Sequence, residues 1–427
     1  MNTYKSLIFK LILIILCLLY VFIFIFYFAN KFNKGTNKDF LTIYLSTIAW
    51  SEKKNPYNHD ILADIWITKH DNSKDMPDFK LRPSVYPIVT FPIFYYFSYF
   101  DWHQAIYLIN IINLISIIAL IIVLILIFPY KLNSYYFLIL ILLILSLGPI
   151  RDCIGQGNPA LLSFTFLLYA FYCNIHNYNK LSGILLGISI CLKPQIGIAL
   201  LFYFILYKKV VSIIVSAIFI FIILLISLHF DITNLQFIFS FVENLRSAFS
   251  PGGVNDTSSF GFANMSIISL DKLFNYMPSL LSKYFKIILF IGSIYIIIKN
   301  IKSDNFFDKL LSLSTIITFS LLFIYHRYAD GLLIIIPMIL GIELLKNNYT
   351  NYYIFISIFG WLPFLLCLPI QVDLIIKKYN ALNWLSKPIF SDIIMLYQPV
   401  SVLILYLFLL YLMYQNAKKK LNITTRI

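Results

Sequence analysis

The sequence predicts an all-α, polytopic membrane protein, and three observations carry that expectation. The 427-residue chain is 60% hydrophobic and only 12% charged, with a mean hydropathy of +0.84. Its apolar stretches recur at lengths near the ~20 residues a helix needs to cross a bilayer. They do not alternate in polarity as the strands of a membrane barrel do.

On that length scale about 12 segments read as helices: 7–28, 105–128, 135–147, 160–173, 181–192, 196–207, 210–228, 284–298, 310–324, 331–345, 352–368 and 400–414. The first starts after Lys5, exceeds a signal-peptide core and is followed by no A-x-A-like site, so it is expected to be an uncleaved anchor. The third to sixth are short for full crossings. Tilting, extension into polar flanks and re-entrance all remain open for them. One helix through 181–207 would put the Lys193 charge in lipid beside the hydrogen bond that Pro194 breaks. A helical hairpin with its tip at Lys193 avoids both costs.

The formal charge of +14 is explained by membrane orientation. No aromatic-plus-basic pattern for nucleic acid accompanies it, and that partner is rejected. Assigning the N-terminus, Lys131, Lys180, Lys208, Lys209, 299–309, Lys346 and 418–420 to the inside gives that side 14 of the 33 basic residues and only 3 of the 19 acidic ones. Both termini are then cytoplasmic. Three long segments fall outside: 30–103, 229–283 and 370–399. The first mixes aromatic, apolar and charged residues, a pattern expected of short extracytoplasmic helices lying on the membrane surface. The second holds a Gly-Asn-Ser-rich piece, 250–261, which reads as a mobile loop and candidate lid. No internal repeat or soluble domain is evident, so 1–427 reads as one integral membrane module. The five cysteines form no CxxC pair and are expected to pack rather than bind zinc or form disulfides.

Five polar clusters interrupt the apolar sequence, and the orientation gathers all of them at one rim: Asp39-Phe40, Gly155 to Asn158, Lys193-Pro194-Gln195, Asn264-Met265-Ser266 and Tyr325 to Asp330. Asp39, just outside the first span, is either a solvated acid or helix cap, or a base that takes a proton from a hydroxyl. Tyr86 sits among prolines that stiffen an entry loop; its functional reading is a wall of a sugar or lipid cleft. Gln156 and Asn158 offer paired donors and acceptors suited to hydroxyl-rich ligands, and equally fit a tight turn with Pro159 opening a helix. Lys193 either snorkels to water or meets an anion. The His326-Arg327 pair suits a phosphate group, or forms an interfacial cluster in which Asp330 pairs with Arg327. Arg151, Lys193, His326 and Arg327 converge on one face, which favours the anion reading.

The set resembles glycosyltransferase family 87. The resemblance rests on Asp39-Phe40, Asn55-Pro56-Tyr57, Tyr86-Pro87, Gly155-Gln156-x-Asn158, Lys193-Pro194, Asn264-x-Ser266 and the late His326, over roughly 39–345. It departs from the family's pattern at 323–328, where no acid precedes His326 and Asp330 follows it. The resemblance implies a GT-C type transferase in a bacterial plasma membrane. Its donor would be a sugar, mannose or arabinofuranose among the candidates, on a polyprenyl monophosphate. Its acceptor would be a glycolipid or glycan on the extracytoplasmic face. Asp39 would be the general base of an inverting displacement, with Arg151, Lys193, His326 and Arg327 on the phosphate. Tyr86, Gln156, Asn158, Asn264 and Asp330 would bind sugar or acceptor. No cofactor is implied and no paired-carboxylate metal signature appears. Two rivals stay open: a transporter or flippase for lipid-linked sugar, which usually shows repeat symmetry, and an O-antigen polymerase or ligase, which leans on outer-loop arginines.

Overall fold

The computed structural model describes residues 37–70, 83–127, 135–230, 236–257, 267–274, 277–301, 305–365 and 388–418. The expected first span at 7–28 and Asn264 lie outside those residues.

The first described helix, α1 (Lys38–Ser51), is buried at every position from Phe40 to Trp50. It has no wet face, unlike the surface-lying helix expected there. That stretch carries no charge and is apolar on all sides, so it must be enclosed rather than laid flat. The enclosure consists of α2 (His59–His70), a 3-10 helix (Ile88–Tyr99) and the start of α3 (Trp102–Ile127). Phe40 stacks on Trp102 with ring centroids 5.9 Å apart and meets Phe97 edge-on at 5.0 Å. Such pairs add about 0.5–1.5 kcal/mol each beyond burial. At its other end Trp50 Nε1 donates to Ser227 O at 2.7 Å.

The short middle segments resolve in two ways. Helix α4 (Tyr135–Ser146) bends by 45° into α5 (Gly148–Gln156), with Pro149 near the start of the second arm. Then come α6 (Ala160–Ile175), α7 (Asn179–Leu192), α8 (Pro194–Leu206) and α9 (Val210–Ser227). Between α7 and α8 Lys193 is extended (φ −156°, ψ 92°), so the chain folds back into the expected hairpin. The arms touch closely: a Cβ on Gly197 would sit 2.4 Å from Ile190 Cγ1 and 2.9 Å from its backbone N. Ser212 Oγ donates to Asn179 O, tying the starts of α7 and α9 together at the opposite end.

The remaining elements are α10 (Gln236–Phe249), α11 (Leu270–Phe274), α12 (Ser279–Asn300), α13 (Phe306–Phe323), a 3-10 turn (Tyr328–Ile334) running into α14 (Ile335–Lys346), then α15 (Thr350–Ile356), α16 (Leu362–Leu365) and α17 (Pro388–Ala417). Two short strands, β1 (Ile267–Ile268) and β2 (His326–Arg327), pair antiparallel with Ile268 opposite His326.

Among the described residues six helices are long and apolar enough to cross a membrane, and a seventh if the bent α4–α5 pair is one span. They divide by burial. The α13 window is 89% buried and the Tyr328–Lys346 window 94%, whereas those of α9 and α12 are 17% buried. The first two are therefore the centre of the bundle, and α9 and α12 turn residues such as Phe221, Ile288 and Ile291 toward lipid. Because the chain reverses between successive helices, Asn158, Lys193 and Tyr325–Asp330 share one end of the stack. Lys180, Lys208, Lys209, Lys309 and Lys346 fall at the other.

Candidate active site at the polar end of the bundle

The polar residues at that end line an open cleft. It lies where four elements begin. Asp39 is in the first turn of α1, Asn158 lies just before α6, Lys193 precedes α8, and Asp330 is in the first turn of the 3-10 segment.

A chain of contacts joins the four. Asn158 Nδ2 donates to Asp39 Oδ2 at 2.7 Å, and Lys193 Nζ donates to Asn158 Oδ1 at 2.9 Å. Lys193 Nζ also pairs with Asp330 Oδ1 at 2.6 Å. The other Asp330 oxygen accepts the Arg327 backbone N–H at 3.1 Å and lies 3.3 Å from His326 Nδ1. Lys193 and Asp330 are both buried, as expected only of paired charges.

On the facing wall Arg327 Nε donates to Tyr325 OH at 3.0 Å and its NH2 group donates to Val254 O at 2.7 Å. Two of its five N–H donors are so engaged among the described residues, and the guanidinium lines the cleft. Tyr325 OH donates to Asn255 Oδ1 at 2.6 Å. The described part of the 250–261 piece expected as a lid, 250–257, is thus tied to Tyr325 and Arg327 beside the cleft, with Gly252 (φ +83°) making its turn. Burial, with Asp39 and Asp330 nearby, pushes the Tyr86 phenol well above its ordinary value. Burial pushes Tyr325 up to about 12. Both remain neutral O–H groups at physiological pH.

The expected site residues therefore part company. Asp39, Tyr86, Asn158, Lys193, Arg327 and Asp330 all line the cleft. His326 does not: its side chain is wholly buried, with Nδ1 facing Asp330 and Nε2 facing Ser320 Oγ at 3.2 Å. Both ring nitrogens face partners inside the protein, so the structure does not bring this expected phosphate ligand to the cleft. Arg151 is also turned away. Its NH2 group donates to Leu365 O at 2.6 Å, which ties α5 to α16. Gln156 is half-buried and does not line the cleft. Asn255, Tyr325 and Thr42 line it and were not singled out by sequence as binding residues. The Asn-containing lid piece and the cluster around His326 were the available signals for the first two.

The bundle of long apolar helices defines an integral membrane protein, with a cleft lined by polar and charged residues at one end. The model of glycosyltransferase family 87 matches residues 85–296, and over those residues the chain is similar to this family. The match contains Tyr86, Asn158, Lys193 and Asn255 and ends before Arg327. No curated protein matches the chain. The protein is a membrane glycosyltransferase.

Proposed function

We propose that the protein transfers a sugar, such as mannose or arabinofuranose, from a polyprenyl monophosphate to a lipid-linked or glycan acceptor on the extracytoplasmic face. The observation that carries this reading is a cleft lined by both a carboxylate, Asp39, and a guanidinium, Arg327, with an apolar groove near it. That groove lies between α8, α12 and α13, lined by residues such as Ile198, Phe202, Phe290, Phe319, Phe323 and Ile324. Its lining neighbours that of the cleft along the chain: Ile324 precedes Tyr325, and α8 lends Pro194 to the cleft and Ile198 to the groove. A prenyl tail fits the groove while its sugar-phosphate lies in the cleft.

The reaction is an inverting displacement. Asp39 accepts the proton of the acceptor hydroxyl as that oxygen bonds to the anomeric carbon. The bond from that carbon to the phosphate oxygen breaks on the opposite face, and its electron pair leaves with the phosphate. Arg327 stabilises the charge gained there, an interaction stronger in the transition state than in the ground state. Tyr86 and Asn255 border the space for the sugar.

The test is transfer by purified protein in liposomes supplied with polyprenyl-phosphate sugars and glycolipid acceptors. A new product is expected from wild type. Asp39→Asn should insert normally and lose about 10²–10⁴-fold in rate, the span of general-base contributions. Near-normal transfer by Asp39→Asn, or none from any polyprenyl-monophosphate sugar, overturns the reading.

A further inference from the structure

Lys193 borders the cleft, but its ammonium is directed into the protein. Its side chain is 7% exposed, and its two contacts, Asp330 Oδ1 and Asn158 Oδ1, are both internal. A buried cation that already has its counter-ion has little attraction left for an incoming phosphate. The orientation of the Asn158 amide is fixed chemically. Lys193 can only donate, so the oxygen must face it, and that oxygen also accepts the Ala160 N–H at 2.9 Å. The amide nitrogen is then left to face Asp39, and it does so at 2.7 Å.

Resting on the reading of Asp39 as base, we infer that Asn158, Lys193 and Asp330 are positioning residues for Asp39, and that Lys193 is not a ligand of the donor phosphate. Asp330 holds Lys193, Lys193 holds the amide, and the amide holds one carboxylate oxygen in place.

The experiment measures kcat and donor KM with a polyprenyl-phosphate sugar. Asn158→Ala and Lys193→Met are expected to lower kcat by about 10–100-fold, the effect of a small misplacement of a reacting group. Donor KM should stay within about twofold. Lys193→Arg keeps a cation between Asp330 and the amide and should recover part of the lost kcat. Lys193→Met alone leaves Asp330 buried without its ion pair, so the double variant Lys193→Met with Asp330→Asn serves as the folding control. It leaves no orphan ion and should show the kcat loss with donor KM unchanged. A donor KM raised tenfold at constant kcat makes Lys193 a phosphate ligand and overturns the inference, as does an unchanged kcat in Asn158→Ala. If Asp39→Asn is inactive while Asn158→Ala keeps its kcat, only the positioning role falls. If Asp39→Asn is active, the base assignment falls with it.

Discussion

Two arginines at the same end of the bundle show how one residue type takes unrelated tasks. Arg151 sits on a helix whose neighbour is the exposed carbonyl end of α16, and it caps that end. Arg327 sits on a strand that edges the cleft. Arg327→Met is expected to lower kcat/KM for the donor by about 10–100-fold, the equivalent of one charge-assisted hydrogen bond of about 1.5–3 kcal/mol. Arg151→Met should leave kcat/KM unchanged and lower the melting temperature of the purified protein. Equal kcat/KM effects from both would reject the division. The sequence showed that Asp39, Asn158, Lys193 and Asp330 belong together, because each flanks a break in apolar sequence. It did not show that His326 and Arg151 turn away. Which way a side chain points from an irregular segment is set by partners far along the chain, here Ser320 and Leu365.

At the scale of elements, the site depends on how α1 docks. Gly157 follows α5 in the left-handed region (φ +63°), and a Cβ there would lie 2.5 Å from Phe40 Cβ. Gly157→Ala therefore meets a backbone cost of about 1–2 kcal/mol and a clash with the helix that bears Asp39. It is expected to lower both thermal stability, read by fluorescence-detected size exclusion, and transfer rate. An unchanged melting curve would mean that α1 shifts freely. The long spans were legible from length and hydropathy alone, and the α7–α8 hairpin from the cost of burying Lys193 beside Pro194. Helix α1 was not. Fourteen residues with Lys38 and Asp39 at one end and Glu52 just past the other look like a surface segment, and only the aromatic residues of 91–102 reveal that it is enclosed.

Across the whole molecule, the basic loops and the cleft lie at opposite ends of the helices. The proposed orientation puts the cleft outside. With native cysteines removed, Lys54→Cys should react with an impermeant maleimide in intact cells, and Lys346→Cys only after permeabilisation. Labelling of both from one side would sink the topology, and with it a donor displayed on the outer leaflet.

The four helix starts that meet at the cleft have an effect separate from any side chain. Backbone dipoles leave each start with partial positive charge, equivalent to roughly half an elementary charge for a full-length helix. Several such ends aimed at one small volume create an attraction for anions that neither pH nor mutation can switch off. Stripping the cleft of every basic side chain should therefore weaken its hold on a phosphorylated lipid without abolishing it.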